Sequence, residues 1–168
     1  DDQYNTLPVM TYDGVNGEYH SFNPISDIRT VFWVVNRNNG AYTFLLGHTG
    51  SYNFHTENNL FWHNNHTHAN VKNGSLWVNG DLTNGQTENV PRDLSVISLK
   101  TAGNVSANNF SNDRHINGRY WNGELGELII FNYEMSDEKI RKVEGYLAHK
   151  WGLEGNFDGA HPYAALDP

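Results

Sequence analysis

Two loop regions hold most of the side chains that could do chemistry. The first, residues 48–70, contains five of the nine histidines together with several asparagines. The second, residues 103–121, contains Asp113 and Arg114 among Asn and Ser side chains. Carboxylate and amide oxygens are the ligands that calcium prefers, and a guanidinium can bind a carboxylate through two parallel hydrogen bonds. The second region therefore predicts ligand binding with calcium in the site or beside it.

The candidate site residues come from both regions. The predicted ligand-binding side chains are Asp113, Arg114, Asn112, Ser111, Tyr52, Asn64 and His66, and the predicted calcium ligands are Asp113 and Asn112. A structural interpretation stays open for the central pair: Asp113 caps a turn, while Arg114 packs over Trp121 or pairs with Glu124. The chain has no calcium loop of alternating acidic residues, so the metal prediction rests on residue types alone.

Three histidines of the first region also admit a zinc site. His63, His66 and His68 are close in sequence, and neutral imidazole is a good zinc ligand. Strand or helix spacing separates His63 from the other two, however, and no carboxylate flanks the cluster to orient the rings. A polar loop whose histidines bind no metal is therefore the favoured interpretation.

The sequence gives little support for catalysis. Retaining glycoside hydrolysis needs two carboxylates on one face, about 5 Å apart, whereas Glu124 and Glu127 are three residues apart and would face opposite ways on a strand. The Gly-x-Ser-x-Gly motif of the serine hydrolases does not occur. We expect a protein that binds a ligand without transforming it.

Composition excludes other classes of partner. The 168 residues include no cysteine and carry a formal net charge of −8, and no apolar run approaches membrane-spanning length. Nucleic-acid binding needs clustered Lys and Arg, so it is not expected. We also expect no membrane insertion and a monomeric module.

Short apolar runs separated by turn signals predict the elements that position these loops. Asn-Gly occurs seven times, and this dipeptide is the strongest short hairpin signal. The predicted strands lie at residues 19–22, 30–35, 43–46, 60–62, 76–78, 94–99 and 127–131. Many short strands at this spacing favour an all-β fold, an antiparallel β-sandwich of jelly-roll type with one C-terminal helix packed on it.

The helix is predicted from about Asp137 to Trp151. Ser136 is a suitable N-cap, acidic residues occupy the first turn, and Gly152 follows as a stop signal. Ile140, Val143, Leu147 and Trp151 share one face and form an apolar stripe, which should lie against the β-rich body.

The run from Gly123 to Leu153, with Tyr12–Gly17 and the strand Arg29–Val35, resembles the laminin-G-like, concanavalin A-like jelly-roll modules of large secreted or surface bacterial proteins. Within that superfamily the chain is most similar to the ligand-binding modules of giant repeats-in-toxin adhesins. The resemblance implies that a peptide or a glycan is captured with the help of calcium, by loops at one rim or on the concave face of the sheets.

We expect residues 1–168 to form one laminin-G-like jelly-roll domain, cut from a longer multidomain surface protein. The expected function is extracellular, calcium-assisted recognition of a peptide or protein ligand on a cell surface, as in adhesion and biofilm formation. A calcium-dependent lectin is the first alternative, and a structural spacer is the second.

Overall fold

A computed structural model describes residues 3–39, 43–112 and 114–165, and its described elements are mainly β-strands. In chain order they are β1 (Gln3–Tyr4), β2 (Leu7–Pro8), β3 (Met10–Asp13), β4 (His20–Val35), α1 (Ala69–Lys72), β5 (Ser75–Val78), β6 (Asp81–Thr83), β7 (Ser95–Phe110), β8 (Asn122–Phe131) and α2 (Asp137–Trp151), followed by a 3₁₀ turn at Glu154–Asn156. Strands β1 and β2 form a small separate pair.

One antiparallel sheet of six strands organises the molecule, in the order β3-β8-β4-β7-β5-β6. The two central strands, β4 and β7, are 16 residues long and pair from Val35 with Ser95 to His20 with Phe110. Their register shifts three times between Ser21 and Thr30, a stretch that includes Pro24. Proline cannot donate a ladder hydrogen bond, so an irregular stretch of this kind accommodates it.

The inner face of the sheet is covered by residues 43–72, which we call the covering segment. Its apolar side chains pack on Val31, Trp33 and Val35 of β4 and on the inward residues of β7. The buried apolar residues of the covering segment include Leu45, Leu46, Phe54, Phe61, Trp62 and Val71. The inner core therefore lies between a regular sheet and a layer of turns.

Helix α2 covers the opposite face. Ser136 accepts a hydrogen bond from the Lys139 amide, and Gly152 ends the helix with φ 67°, so the predicted bounds and caps are confirmed. Ile140, Leu147 and Trp151 pack on outward residues of the sheet in a second apolar cluster. The fourth member of the predicted stripe, Val143, is partly buried beside them.

The all-β class is confirmed, with an antiparallel sheet and one C-terminal helix packed on it. The separate strands predicted at 19–22 and 30–35 form one strand, β4, which begins at His20 rather than Tyr19. The prediction of regular strands at 43–46 and 60–62 was wrong, because Phe44 and Leu60 make only isolated bridges. These apolar runs signal burial against the sheet, and burial alone does not distinguish a strand from a packed turn.

No helix in the described ranges has the length and apolar character needed to cross a membrane.

Candidate functional site

Side chains from two distant loops line one open pocket, which we call the histidine–arginine pocket. Its volume is about 260 Å³. The covering segment contributes a tyrosine and three histidines, and the β7–β8 loop (residues 111–121) contributes two arginines. The lining residues are Tyr52, His55, His63, His66, Arg114 and Arg119.

Close contacts between backbones bring the two loops together. The Gly47 amide donates to the Asn109 carbonyl at 2.8 Å, and the Gly47 carbonyl accepts from the Asn108 amide at 2.9 Å. A Cβ atom at Gly47 would lie 1.8 Å from the Asn112 carbonyl oxygen, so only glycine permits this approach. Asn53 adds a third tie, since its side-chain amide donates to the Ser106 carbonyl at 2.8 Å.

The β7–β8 loop starts with an unusual backbone. Ser111, Arg114 and His115 all have positive φ, at 83°, 49° and 58°, which costs energy for residues with a Cβ. Local hydrogen bonds to buried side chains hold this conformation. Asn112 Oδ1 accepts from the His115 amide at 2.8 Å, and Asn109 Oδ1 accepts from the Asn112 amide at 3.1 Å. Such strain is common where a loop presents side chains to a ligand.

Ser111 connects the start of the loop to its end. Its hydroxyl donates to the Glu18 carbonyl at 2.8 Å and accepts from the Trp121 amide at 2.9 Å. Trp121 is fully buried, and its indole Nε1–H donates to the Asn36 carbonyl at 2.9 Å. The loop that carries Arg114 and Arg119 is thus anchored at both ends.

The histidines of the covering segment serve its turns as well as the pocket. His63 Nδ1 accepts from the Asn65 and His66 amides at 3.0 and 3.3 Å, so a neutral His63 ring carries its proton on Nε2. His55 is buried, and its Nδ1 lies 2.5 Å from the Thr56 carbonyl oxygen, which requires the opposite tautomer. The rings of His63 and His66 are 4.4 Å apart.

Hydrogen-bond donors and positive charge dominate the pocket. The Arg114 guanidinium lies over the Tyr52 ring at 4.7 Å, a cation–π contact that orients the side chain. Arg119, Tyr52 and His63 also line the pocket, and each is a residue type that can donate a hydrogen bond. Glu57 approaches His63 Nδ1 at 3.9 Å, but it does not line the pocket. This arrangement suits a small planar anion such as a carboxylate.

The geometry does not favour zinc. His68 lies outside the pocket, where its Nδ1 accepts from the Asn70 amide and caps α1. The Nε2 atom of a neutral His63 holds a proton and so offers no lone pair to a metal. The described part of the chain contains no group of three or more His, Asp or Glu residues that could hold a metal ion.

The structure brings together three of the predicted site residues: Tyr52, His66 and Arg114 all line the pocket. Ser111 and Asn112 are buried, at 0% and 1% exposed, and the contacts described above show them holding the loop. A direct ligand or calcium contact through either residue stays a prediction.

One further predicted residue, Asn64, is not among the described residues that line the pocket. Asn64 lies in the same turn as His63, but its side-chain oxygen accepts a hydrogen bond from Gln86. Asp113, the central residue of the calcium prediction, lies outside the described residues.

Sequence reasoning missed three lining residues as ligand contacts, namely His55, His63 and Arg119. A signal for Arg119 existed, since it follows Arg114 by five residues in the same loop. His55 gave no comparable signal, because its place in the pocket depends on the fold of the covering segment.

Comparison of the chain with models of known protein families, with curated proteins and with solved structures found no match. The resemblance to laminin-G-like modules therefore stays a prediction.

Proposed function

We propose that this chain is a non-catalytic binding module that captures a peptide or protein ligand through a carboxylate. The observation that carries the proposal is the convergence of Arg114, Arg119 and three histidines on one pocket. The chain as a whole carries a formal net charge of −8, so this concentration of positive and donor groups is a local feature. An anionic group is the ligand chemistry that it fits.

A chain terminus or an acidic side chain of the ligand would supply the carboxylate. Arg114 is oriented by Tyr52, whose exposed fraction of 40% leaves part of its ring available to a ligand side chain. Tyrosine provides a large contact area at a low cost in conformational entropy. The pocket would thus combine charge recognition with an aromatic contact.

The wider setting belongs to the same proposal. The module acts outside the cell, as part of a bacterial surface adhesin, and calcium assists binding through Asp113 and Asn112. Support for this setting comes from residue types and from the resemblance of the chain to adhesin modules.

A peptide array tests the proposal. Each peptide is presented with a free and with an amidated C-terminus, in calcium and in chelator, and an internal set carries Asp or Glu at varied positions. We expect capture of peptides with an accessible carboxylate. Arg114→Gln and Arg119→Gln should each weaken binding about 10-fold or more, because a hydrogen bond to a charged group contributes roughly 1.5–3 kcal/mol.

Lys139→Gln is the matched control, since it removes one positive charge from an exposed position on α2. Its binding should equal that of the unmodified chain. Binding that is indifferent to carboxylates, or that survives both arginine substitutions, would refute the proposal.

A further inference from the structure

A second pocket lies near the C-terminal end of β4, where the chain leaves the strand. Its volume is about 370 Å³, within the range of small-molecule sites. The lining residues are Arg37, Asn38, Asn59, Glu88, Asn89, Val90, Pro91 and Arg92. We call it the Arg37 pocket; it shares no lining residue with the histidine–arginine pocket.

Arg37 is almost completely buried, at 3% exposed, and its described hydrogen-bond partners are all neutral. Its guanidinium donates to Thr43 Oγ1 at 3.3 Å, to the Asn58 carbonyl at 2.5 Å and to Asn59 Oδ1 at 2.9 Å. Within the described residues no ion pair joins it to a carboxylate. A buried charge without a counter-charge is costly, so an anion bound beside it would be stabilised.

A second cation increases the local positive charge. Arg92 donates to the Asn38 carbonyl at 3.0 Å and lines the same pocket. Burial, together with the like charge of Arg92, lowers the pKa of Arg37 to about 10. Arg37 and Arg92 line the same pocket, so an anion bound there would interact favourably with both charges.

The other lining groups indicate what kind of anion would fit. The side-chain amides of Asn38, Asn59 and Asn89 offer donors and acceptors suited to hydroxyl groups. Val90 and Pro91 supply an apolar wall. Glu88 lines the pocket too, and its carboxylate accepts a hydrogen bond from Thr83 at 3.0 Å.

We propose that the Arg37 pocket binds an acidic sugar unit, with the carboxylate of the sugar on Arg37 and Arg92 and its hydroxyls on the asparagine amides. The pocket volume of about 370 Å³ has room for one sugar ring. This site is independent of the carboxylate capture proposed above, because different loops and different arginines form it.

Amide-resolved NMR titrations of the full chain test this second site. The probes are sodium glucuronate, glucose and sodium sulfate at constant ionic strength. We expect glucuronate and sulfate to shift the amide signals of residues 37–38, 88–90 and 92, with glucuronate binding more tightly and glucose causing no shift. Arg92→Gln should weaken glucuronate binding at least fivefold. Arg92 is exposed, and its one described hydrogen bond goes to a backbone carbonyl, so this variant should fold.

Arg119→Gln and Lys139→Gln serve as controls that should leave glucuronate binding unchanged. Arg92→Gln, in turn, should leave peptide capture by the histidine–arginine pocket unchanged, so failure of one site is distinguishable from failure of the other. The second site is refuted if glucuronate shifts no signal at residues 37–38, 88–90 and 92, if glucose binds equally well, or if Arg92→Gln binds glucuronate as tightly as the unmodified chain. Sulfate binding without glucuronate binding would refute the assignment of a sugar.

Discussion

Ser111→Ala should destabilise the protein and loosen the β7–β8 loop at the same time. The hydroxyl is fully buried, donates to the Glu18 carbonyl and accepts from the Trp121 amide. Alanine removes both hydrogen bonds and leaves the buried Trp121 N–H without this partner. Arg119 precedes Trp121 by two residues, so the pocket should lose a defined arginine position as well.

The magnitude follows from the two bonds. Loss of the bond to Glu18 costs about 1 kcal/mol, and an unsatisfied buried amide costs about 1–3 kcal/mol. The free energy of unfolding should therefore fall by about 2–4 kcal/mol. For a chain of this size each kcal/mol lowers the melting temperature by about 2–4 °C, so we expect a decrease of roughly 5–15 °C.

Two further serine variants make the measurement specific. Ser111→Gly also lacks the hydroxyl, but glycine adopts the φ of 83° without strain. Its free energy of unfolding should therefore fall by about 1 kcal/mol less than that of Ser111→Ala. Ser26→Ala, at an exposed position of β4, should change stability by less than about 0.5 kcal/mol. Thermal melts and denaturant titrations of all three variants give the comparison. A Ser111→Ala midpoint within about 1 °C of the unmodified chain would show that the hydroxyl does not anchor the loop.

Three further predictions address the helix, a buried carboxyl and calcium. Leu147→Ala should lower the free energy of unfolding by about 2–5 kcal/mol, because Leu147 is fully buried between α2 and the sheet. A near-native melting temperature would contradict the packing of α2 on the sheet. Burial raises the pKa of the Glu144 carboxyl, so the folded chain holds this proton more tightly than the unfolded chain, and stability falls as pH rises through the folded pKa. In melts across a pH series, the stability of Glu144→Gln relative to the unmodified chain should therefore increase from pH 4 upward; a difference independent of pH would argue against this. Millimolar calcium should raise the melting temperature relative to chelator, because an ion that binds only the folded state stabilises it, and identical curves would remove calcium from the proposal.

Helix α2 shows what local sequence signals can determine. The N-cap of Ser136, the acidic first turn and the stop at Gly152 act within a few residues, and the predicted bounds match the structure. The apolar stripe likewise indicated the buried face, since side-chain periodicity depends only on helix geometry. The all-β class could be predicted for a similar reason, from short apolar runs and frequent Asn-Gly turns.

The covering segment shows where local signals fail. Its apolar runs at 43–46 and 60–62 look like strands, yet they pack as bridged turns on the sheet. Whether a buried run becomes a strand depends on a neighbouring strand with free backbone groups, and pairing partners are set by the tertiary fold.

The two pockets depend on tertiary structure even more. The sequence identified two polar loops, including Tyr52, His66 and Arg114, but not that they face each other. Pairing of β4 with β7 and the close approach at Gly47 bring residues 48 to 67 positions apart in the sequence into one pocket. The burial of Arg37 among neutral partners gave no local signal either. Sequence alone determined the residue types, the turns and the capped helix, because these depend on near neighbours along the chain. Only the tertiary fold decided which charged residues meet, because such contacts join segments that are far apart in the sequence.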